Sequence, residues 1–244
     1  METSSHVPSM VEPSLGSTVV FVVVVLAVCG MLVAAVGYAH SDRTSAAVRR
    51  RIWGASLVLV AILISSGTLA ESGMVHTLAW RPAFAAFPLF WNGLALGFAL
   101  SPVGRNIAIH LPVTTLVGFQ AFRLPLELVL HRWYLEGVMP VQMTFAGHNF
   151  DIVTGALALF VALGLWRGLL PKAVVWGFNL LGLGLLFAVV RIAVLSSPVP
   201  FRSYMNEPLV LLAFHAPYVW IISICVAGAL FGHVVTFRWL LIRR

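Results

Sequence analysis

Charge is scarce in this 244-residue chain. Only 9% of its residues are charged, eight of them acidic, where soluble domains carry about 25%. With 60% hydrophobic residues and a mean hydropathy of +0.99, a soluble fold is excluded, because so much apolar surface needs lipid as its solvent. Lysine is nearly missing: Lys172 is the only one. It falls between apolar runs, which argues against a buried retinal-type Schiff base. Cysteine is limited to Cys29 and Cys225. Each lies inside an apolar run without a Cys-x-x-Cys spacing, so both read as small core residues rather than redox or metal ligands. No H-E-x-x-H motif, internal repeat or low-complexity segment is present. A basic run interleaved with aromatics on a polar domain is also lacking, so the net charge of +7 does not point to nucleic acid.

Long apolar runs are what the chain does have. Hydropathy predicts an all-α, polytopic transmembrane bundle with seven spans near 17–39, 52–71, 83–101, 108–132, 149–168, 173–195 and 209–236. Most have about the 20 residues needed to cross the hydrocarbon. Pro112 and Pro125 are expected to kink the fourth. The arginines set the orientation. Arg43, Arg49, Arg50 and Arg51 follow the first span, and Arg105, Arg167, Lys172, Arg238, Arg243 and Arg244 fall on the same side. The excess of positive charge in these loops places them in the cytoplasm, the N-terminus outside and the C-terminus inside. Trp53, Trp80, Trp133, Trp166, Trp176 and Trp239 fall near span ends, as in an interfacial aromatic belt. Residues 1–16 read as a disordered polar tail, and 17–244 as one transmembrane domain.

Gln120, Arg123, Glu127 and His131 interrupt the fourth span at helical spacing, within an arc of roughly 80°. Ionisable groups in a bilayer are costly and mark either a functional interior or a buried pair. The predicted topology adds His148 and Asp151 at the start of the fifth span, Arg191 near the end of the sixth and His215 in the seventh, all toward the outer side. Arg123, Glu127, Asp151 and Arg191 sum to zero charge, as a low-dielectric site demands. Arg123 and Glu127 form an i, i+4 pair able to touch on the helix itself. Site chemistry and ion pairs that merely fasten helices both fit this arrangement.

The candidate catalytic set is therefore Arg123, Glu127, His131, His148, Asp151, Arg191 and His215. A carboxylate and a histidine would serve as base and acid, and an arginine would hold an oxyanion or phosphate. These roles suit hydrolase or transferase chemistry on a lipid-linked or membrane-embedded substrate. Zinc held by His131, His148, His215 and Asp151 is a variant of this scheme. A proton-coupled transporter or channel is the alternative, although Leu116 ends the polar stripe on its inner side. A non-catalytic assembly subunit of a membrane complex is a third. Two haem levels, with His110 and His233 inside and His131 and His215 outside, are a fourth. The expected partners are membrane lipid and other membrane proteins.

The segment Met143–Gly155 contains Gly147-His-Asn-Phe-Asp-Ile-Val-Thr-Gly155, a G-x-N-F-D-I-x-x-G pattern. With Phe122-Arg-Leu-Pro-Leu-Glu127 before it and Met205-Asn-Glu-Pro208 after it, the chain resembles a group of uncharacterised bacterial multi-pass membrane proteins over roughly 118–240. That resemblance implies a bacterial inner-membrane location. In layout, Arg191 and His215 are also similar to the arginine and histidine of exosortases and archaeosortases. The region of their cysteine here reads His148-Asn149-Phe150-Asp151, without a thiol nucleophile.

Overall fold

A computed structural model describes residues 10–42, 44–74 and 86–243. The first nine residues of the expected tail, Arg43, Trp80, the start of the third predicted span (83–85) and Arg244 lie outside them. Among the described residues the chain is all-helical, with no strand. The elements are α1 (Leu15–Tyr38), α2 (Ser45–Glu71), α3 (Ala86–Leu100), α4 (Pro102–His110), α5 (Val113–Gly118), α6 (Arg123–Leu135), α7 (Ile152–Trp166), α8 (Lys172–Ser196) and α9 (Ala227–Ile242). A 3₁₀ turn, Phe119–Phe122, joins α5 to α6, and a π turn, Ile221–Val226, leads into α9.

Among the described residues, five segments are long and apolar enough to cross a bilayer: Leu15–Tyr38, Ser45–Glu71, Val113–Leu135, Lys172–Ser196 and Ile221–Ile242. Helices α3 and α4 pass the same test together, bent by 58° at their junction, and make a sixth if the pair is one broken span rather than a re-entrant loop. Helix α7 has 15 residues, about 22 Å at 1.5 Å per residue. That is short of the ~30 Å hydrocarbon thickness.

The last predicted span is displaced. Residues 209–220 are not a continuous helix, and the long helical segment starts at Ile221 rather than at 209. Pro208 precedes this stretch and Pro217 falls within it, and proline removes the backbone donor a helix needs. Its apolar side chains, Leu209, Val210, Leu211, Leu212 and Phe214, are buried in protein. Pro125 also acts differently from expectation. It lies in the first turn of α6, where a missing N–H costs little, and the preceding 3₁₀ turn takes up the irregularity. Trp133, expected at the interface, is fully buried and donates from Nε1 to Ser17 Oγ at 3.1 Å.

Besides a cluster joining Phe87 and Trp91 of α3 to Leu209, Leu211 and Phe214, two apolar clusters fill the bundle. One gathers Phe21 and Val25 of α1, Phe122, Leu126 and Leu130 near α6, Leu186 and Val189 of α8, and Ala229. The other gathers Leu116 and Val117 of α5, Ala158 of α7, Val175 and Phe178 of α8, and Val235 of α9. Along α5–α6, α8 and α9, the residues between the two clusters are the polar ones discussed below.

Within residues 10–16, expected in the tail, Met10, Pro13 and Ser14 are held to the bundle, while the residues between and after them are exposed. Met10 packs on the first cluster, and Ser14 caps α1. Glu136, just beyond α6, accepts from Ser14 N (3.0 Å), Ser14 Oγ (2.7 Å), Ser17 Oγ (3.0 Å) and Arg132 Nε (2.8 Å). Burial pushes this carboxyl up, but the hydrogen bonds from Ser14, Arg132 and Ser17 outweigh it. The pKa is held at about 2, against an ordinary 4.5. A depressed folded value stabilises the native state above the ordinary value, and that contribution is lost as pH falls through 4.5 toward 2. Thermal unfolding in detergent across this range should therefore show an acid-side loss of stability. Glu136→Gln should flatten that limb, and an unchanged limb would separate α1 docking from Glu136.

Candidate functional site

The G-x-N-F-D-I-x-x-G segment turns the chain from a loop into α7. Asn149 is the pivot. Its backbone N–H reaches Thr144 O (3.2 Å), its Oδ1 accepts from Asp151 N (3.0 Å), and its Nδ2 donates to Met143 O (3.0 Å) and Glu127 Oε2 (2.8 Å). The last bond ties the loop to α6. Gly155 lets α7 press on the backbone of α6, since a Cβ there would sit 2.8 Å from Leu124 Cα.

Asp151 stands at the N-terminus of α7 but makes no side-chain capping bond. Its carboxylate faces Arg123 instead. Arg123 Nε donates to Oδ2 at 2.6 Å, and Nη2 forms an ion pair with Oδ1. Thr154 Oγ1 also donates to Oδ1, at 3.3 Å. Arg123 Nη1 donates to Gly182 O (3.1 Å) and to His233 Nε2 (3.0 Å). His233 Nδ1 lies 2.8 Å from Asn179 Oδ1, and Asn179 Nδ2 donates to His233 O at 3.0 Å. This orientation of the amide assigns the proton to Nδ1 and leaves Nε2 as an acceptor, so the imidazole is neutral. The result is one buried chain, Asp151–Arg123–His233–Asn179, with Glu127 and Asn149 beside it.

The chain lies midway along the helices. Arg123 is the eleventh of the 23 residues in Val113–Leu135, Gly182 the eleventh of 25 in Lys172–Ser196, and His233 the thirteenth of 22 in Ile221–Ile242. The network is thus centred deeper than the expected site near one end of the bundle. The displaced last span explains why His233, expected near the cytoplasmic end, belongs to it. Pro217 was the available signal, since it denies a helix before residue 217 and moves the span later.

Other expectations are also corrected. Arg123 and Glu127 share a helix but are not the ion pair; Arg123 is committed to Asp151. Arg191 is exposed on α8 and outside the network, so the charge sum changes. Arg123 and Asp151 cancel, and Glu127 is left without a counter-charge of its own. His131 stacks on Phe145 with ring centroids 4.3 Å apart. His148 is exposed beside Tyr204. His215 is half-buried in the turn before the π turn. None of the three joins the Arg123 network. No group of three potential metal ligands occurs among the described residues, so the zinc set is not assembled. The haem reading fails at His233, both of whose ring nitrogens are in hydrogen bonds. Gln120 is buried and donates to Ala229 O at 3.1 Å.

A cavity of about 110 Å³ opens beside the network. Its polar lining includes Arg123, Glu127, Asp151 and Asn92, and most of the rest is apolar or aromatic. Helices α3 and α8 supply two of its walls. The first leans on α4, α9 and the π turn, and the second on α7 and α9.

Residues 82–241 match the family model described as Domain of unknown function (DUF8737). The chain belongs to this family. No curated protein and no solved structure matches it. Every member of the buried network, from Arg123 to His233, falls inside the DUF8737 match, whereas α1 and α2 precede it.

Gly182 tests the packing around the DUF8737 network. A Cβ there would lie 2.6 Å from His233 Cε1 and 2.8 Å from Thr154 Cγ2. Neither side chain can retreat without loosening a bond to Arg123, Asn179 or Asp151. Gly182→Ala should cost about 1–3 kcal/mol, the usual range for overpacking. Gly184→Ala, two residues on, meets nothing within 4 Å and should be neutral. Thermal unfolding of the two variants side by side checks this, and equal melting temperatures would refute it.

Proposed function

We propose that the protein is a proton-coupled carrier for a membrane-embedded substrate, and that Glu127 takes up and releases the proton. The observation carrying this reading is the carboxylate of Glu127. It lines an apolar cavity that runs from mid-length, at Arg123 and Leu186, toward the end of the bundle at Trp133 and Ser197, is only 2% exposed, and is paired with a neutral amide rather than a cation. An ionised group so placed is expensive unless something neutralises it. A proton or a positively charged ligand does so, and the two exclude one another at one carboxylate. The inner end of the cavity, at Arg123, is near mid-length, where carriers bind their substrates.

Hydrolase or transferase chemistry has weaker support. An oxyanion or phosphate needs an available cation, but Arg123 is engaged at Nε, Nη1 and Nη2 and Arg191 is exposed. His131, His148 and His215 are not among the residues lining the cavity.

The protein crosses the membrane seven times in this reading, with α7 completing the count. The loop before α7 covers the remaining depth, and irregular backbone is tolerated there when buried in protein. Thr144, Asn149 and Asp151 of that loop are buried. The arginine distribution keeps the N-terminus outside and the C-terminus in the cytoplasm. The resemblance to bacterial multi-pass proteins supports a bacterial inner membrane.

Inverted membrane vesicles holding the protein, with a respiratory pH gradient followed by a fluorescent amine dye, provide the test. A panel of small amphiphiles of positive, negative and zero charge is added in turn. At least one should collapse the gradient in wild-type vesicles and not in Glu127→Gln vesicles of matched abundance. If no member of the panel distinguishes the two, the carrier reading falls.

A further inference from the structure

The charges around the cavity constrain what it accepts. On the basic side, Arg123 is occupied by Asp151, His233 and Gly182 O, and the imidazole of His233 is neutral. On the acidic side, Asp151 is neutralised by Arg123, whereas Glu127 has only Asn149. The charge left for a ligand is negative. Aromatic rings occupy much of the remaining wall: Phe87, Phe122, Trp133, Phe214 and Tyr218. Trp133 and Tyr218 meet edge to face, with centroids 5.4 Å apart at 88°. An aromatic lining combined with one unneutralised carboxylate is the surface that attracts an ammonium group, through ring quadrupoles and Coulomb attraction together. An anion would meet Glu127 with no free cation to offset the repulsion. A volume of about 110 Å³ suits a head group, with the apolar body extending between α3 and α8.

We infer that the substrate taken up here is an organic cation, an amine or quaternary ammonium borne on an apolar body. This rests on the carrier reading above and names its substrate class. Binding the cation releases the Glu127 proton, and departure of the cation lets a proton return, so the net charge of the cavity is the same in both states.

Isothermal titration of the purified protein in a non-ionic detergent tests the inference, using hexyltrimethylammonium and its chain-matched anion hexanesulfonate. The expected result is saturable binding of the cation, at least about tenfold tighter than the anion. Repeating the titration in buffers of different ionisation enthalpy should show about one proton released per site. Glu127→Gln should weaken the cation by about tenfold or more. Equal binding of the two probes, tighter binding of the anion, or an unchanged affinity in Glu127→Gln overturns the inference. If that variant fails to fold, the cation–anion comparison on the wild type decides alone. Gradient collapse by neutral or anionic amphiphiles would leave the carrier reading standing and remove this one. Cation binding without gradient collapse would do the reverse.

Discussion

Arg123→Ala should destabilise the protein by about 3–5 kcal/mol, the range for removing one partner of a buried ion pair. The change leaves Asp151, 4% exposed, without its counter-charge. It also strips a donor from Gly182 O and from His233 Nε2. Loss of a neutral interhelical hydrogen bond within a membrane costs only about 1–2 kcal/mol at most, so the magnitude separates the two causes. Arg123→Lys should fall between wild type and alanine, because one ammonium cannot span Asp151, Gly182 O and His233 at once. The double change Arg123→Met with Asp151→Leu should recover most of the loss, since replacing both buried charges by apolar groups is often neutral or stabilising. Unfolding temperature and recovery of monodisperse protein in detergent are the readouts. If Arg123→Ala costs less than about 1 kcal/mol, the Arg123–Asp151 pair is not what holds α6 to α7.

Much of the bundle was legible in hydropathy. The expected spans 17–39 and 173–195 fall within two residues of α1 and α8 at every boundary. The failure at 209–236 has a physical cause: an apolar run reads alike whether it faces lipid or protein. Leu209, Val210, Leu211 and Leu212 satisfy a hydropathy window, yet they are buried in the core rather than arranged on a lipid-facing helix. The expected fifth span, 149–168, is met by the shorter α7 (Ile152–Trp166) for a related reason, because the non-helical residues before it also lie inside the bundle.

The candidate site was half legible. Arg123, Glu127 and Asp151 stood out as ionisable groups in apolar surroundings, and all three line the cavity. Their partners did not stand out. An angular projection assigns a residue to a helix face but carries no depth and no neighbour. It therefore suggested Glu127 for Arg123, where the fold supplies Asp151 from a loop turned inward by Asn149. Arg191 shows the opposite error. It is apolar in setting and basic in nature, yet its position on α8 turns it outward, where a long side chain reaches the polar boundary.

Glu127→Gln should separate stability from function in a way Arg123→Ala does not. Glutamine has nearly the same shape, and its Oε1 can still accept from Asn149 Nδ2. The neutral hydrogen bond is worth about 1 kcal/mol, so its retention should keep the unfolding temperature within a few degrees of wild type. Exchange of protons against substrate should nevertheless fall to the level of vesicles without the protein, because an amide cannot give up a proton near neutral pH. Glu127→Asp keeps the charge but withdraws it by one methylene, and should retain part of the activity with weaker binding. The contrast bears on whether this carboxylate serves a ligand or the fold. A stability loss in Glu127→Gln as large as that of Arg123→Ala would make Glu127 a structural fastener and favour a non-catalytic assembly role. Unchanged stability together with unchanged exchange would remove Glu127 from the function altogether.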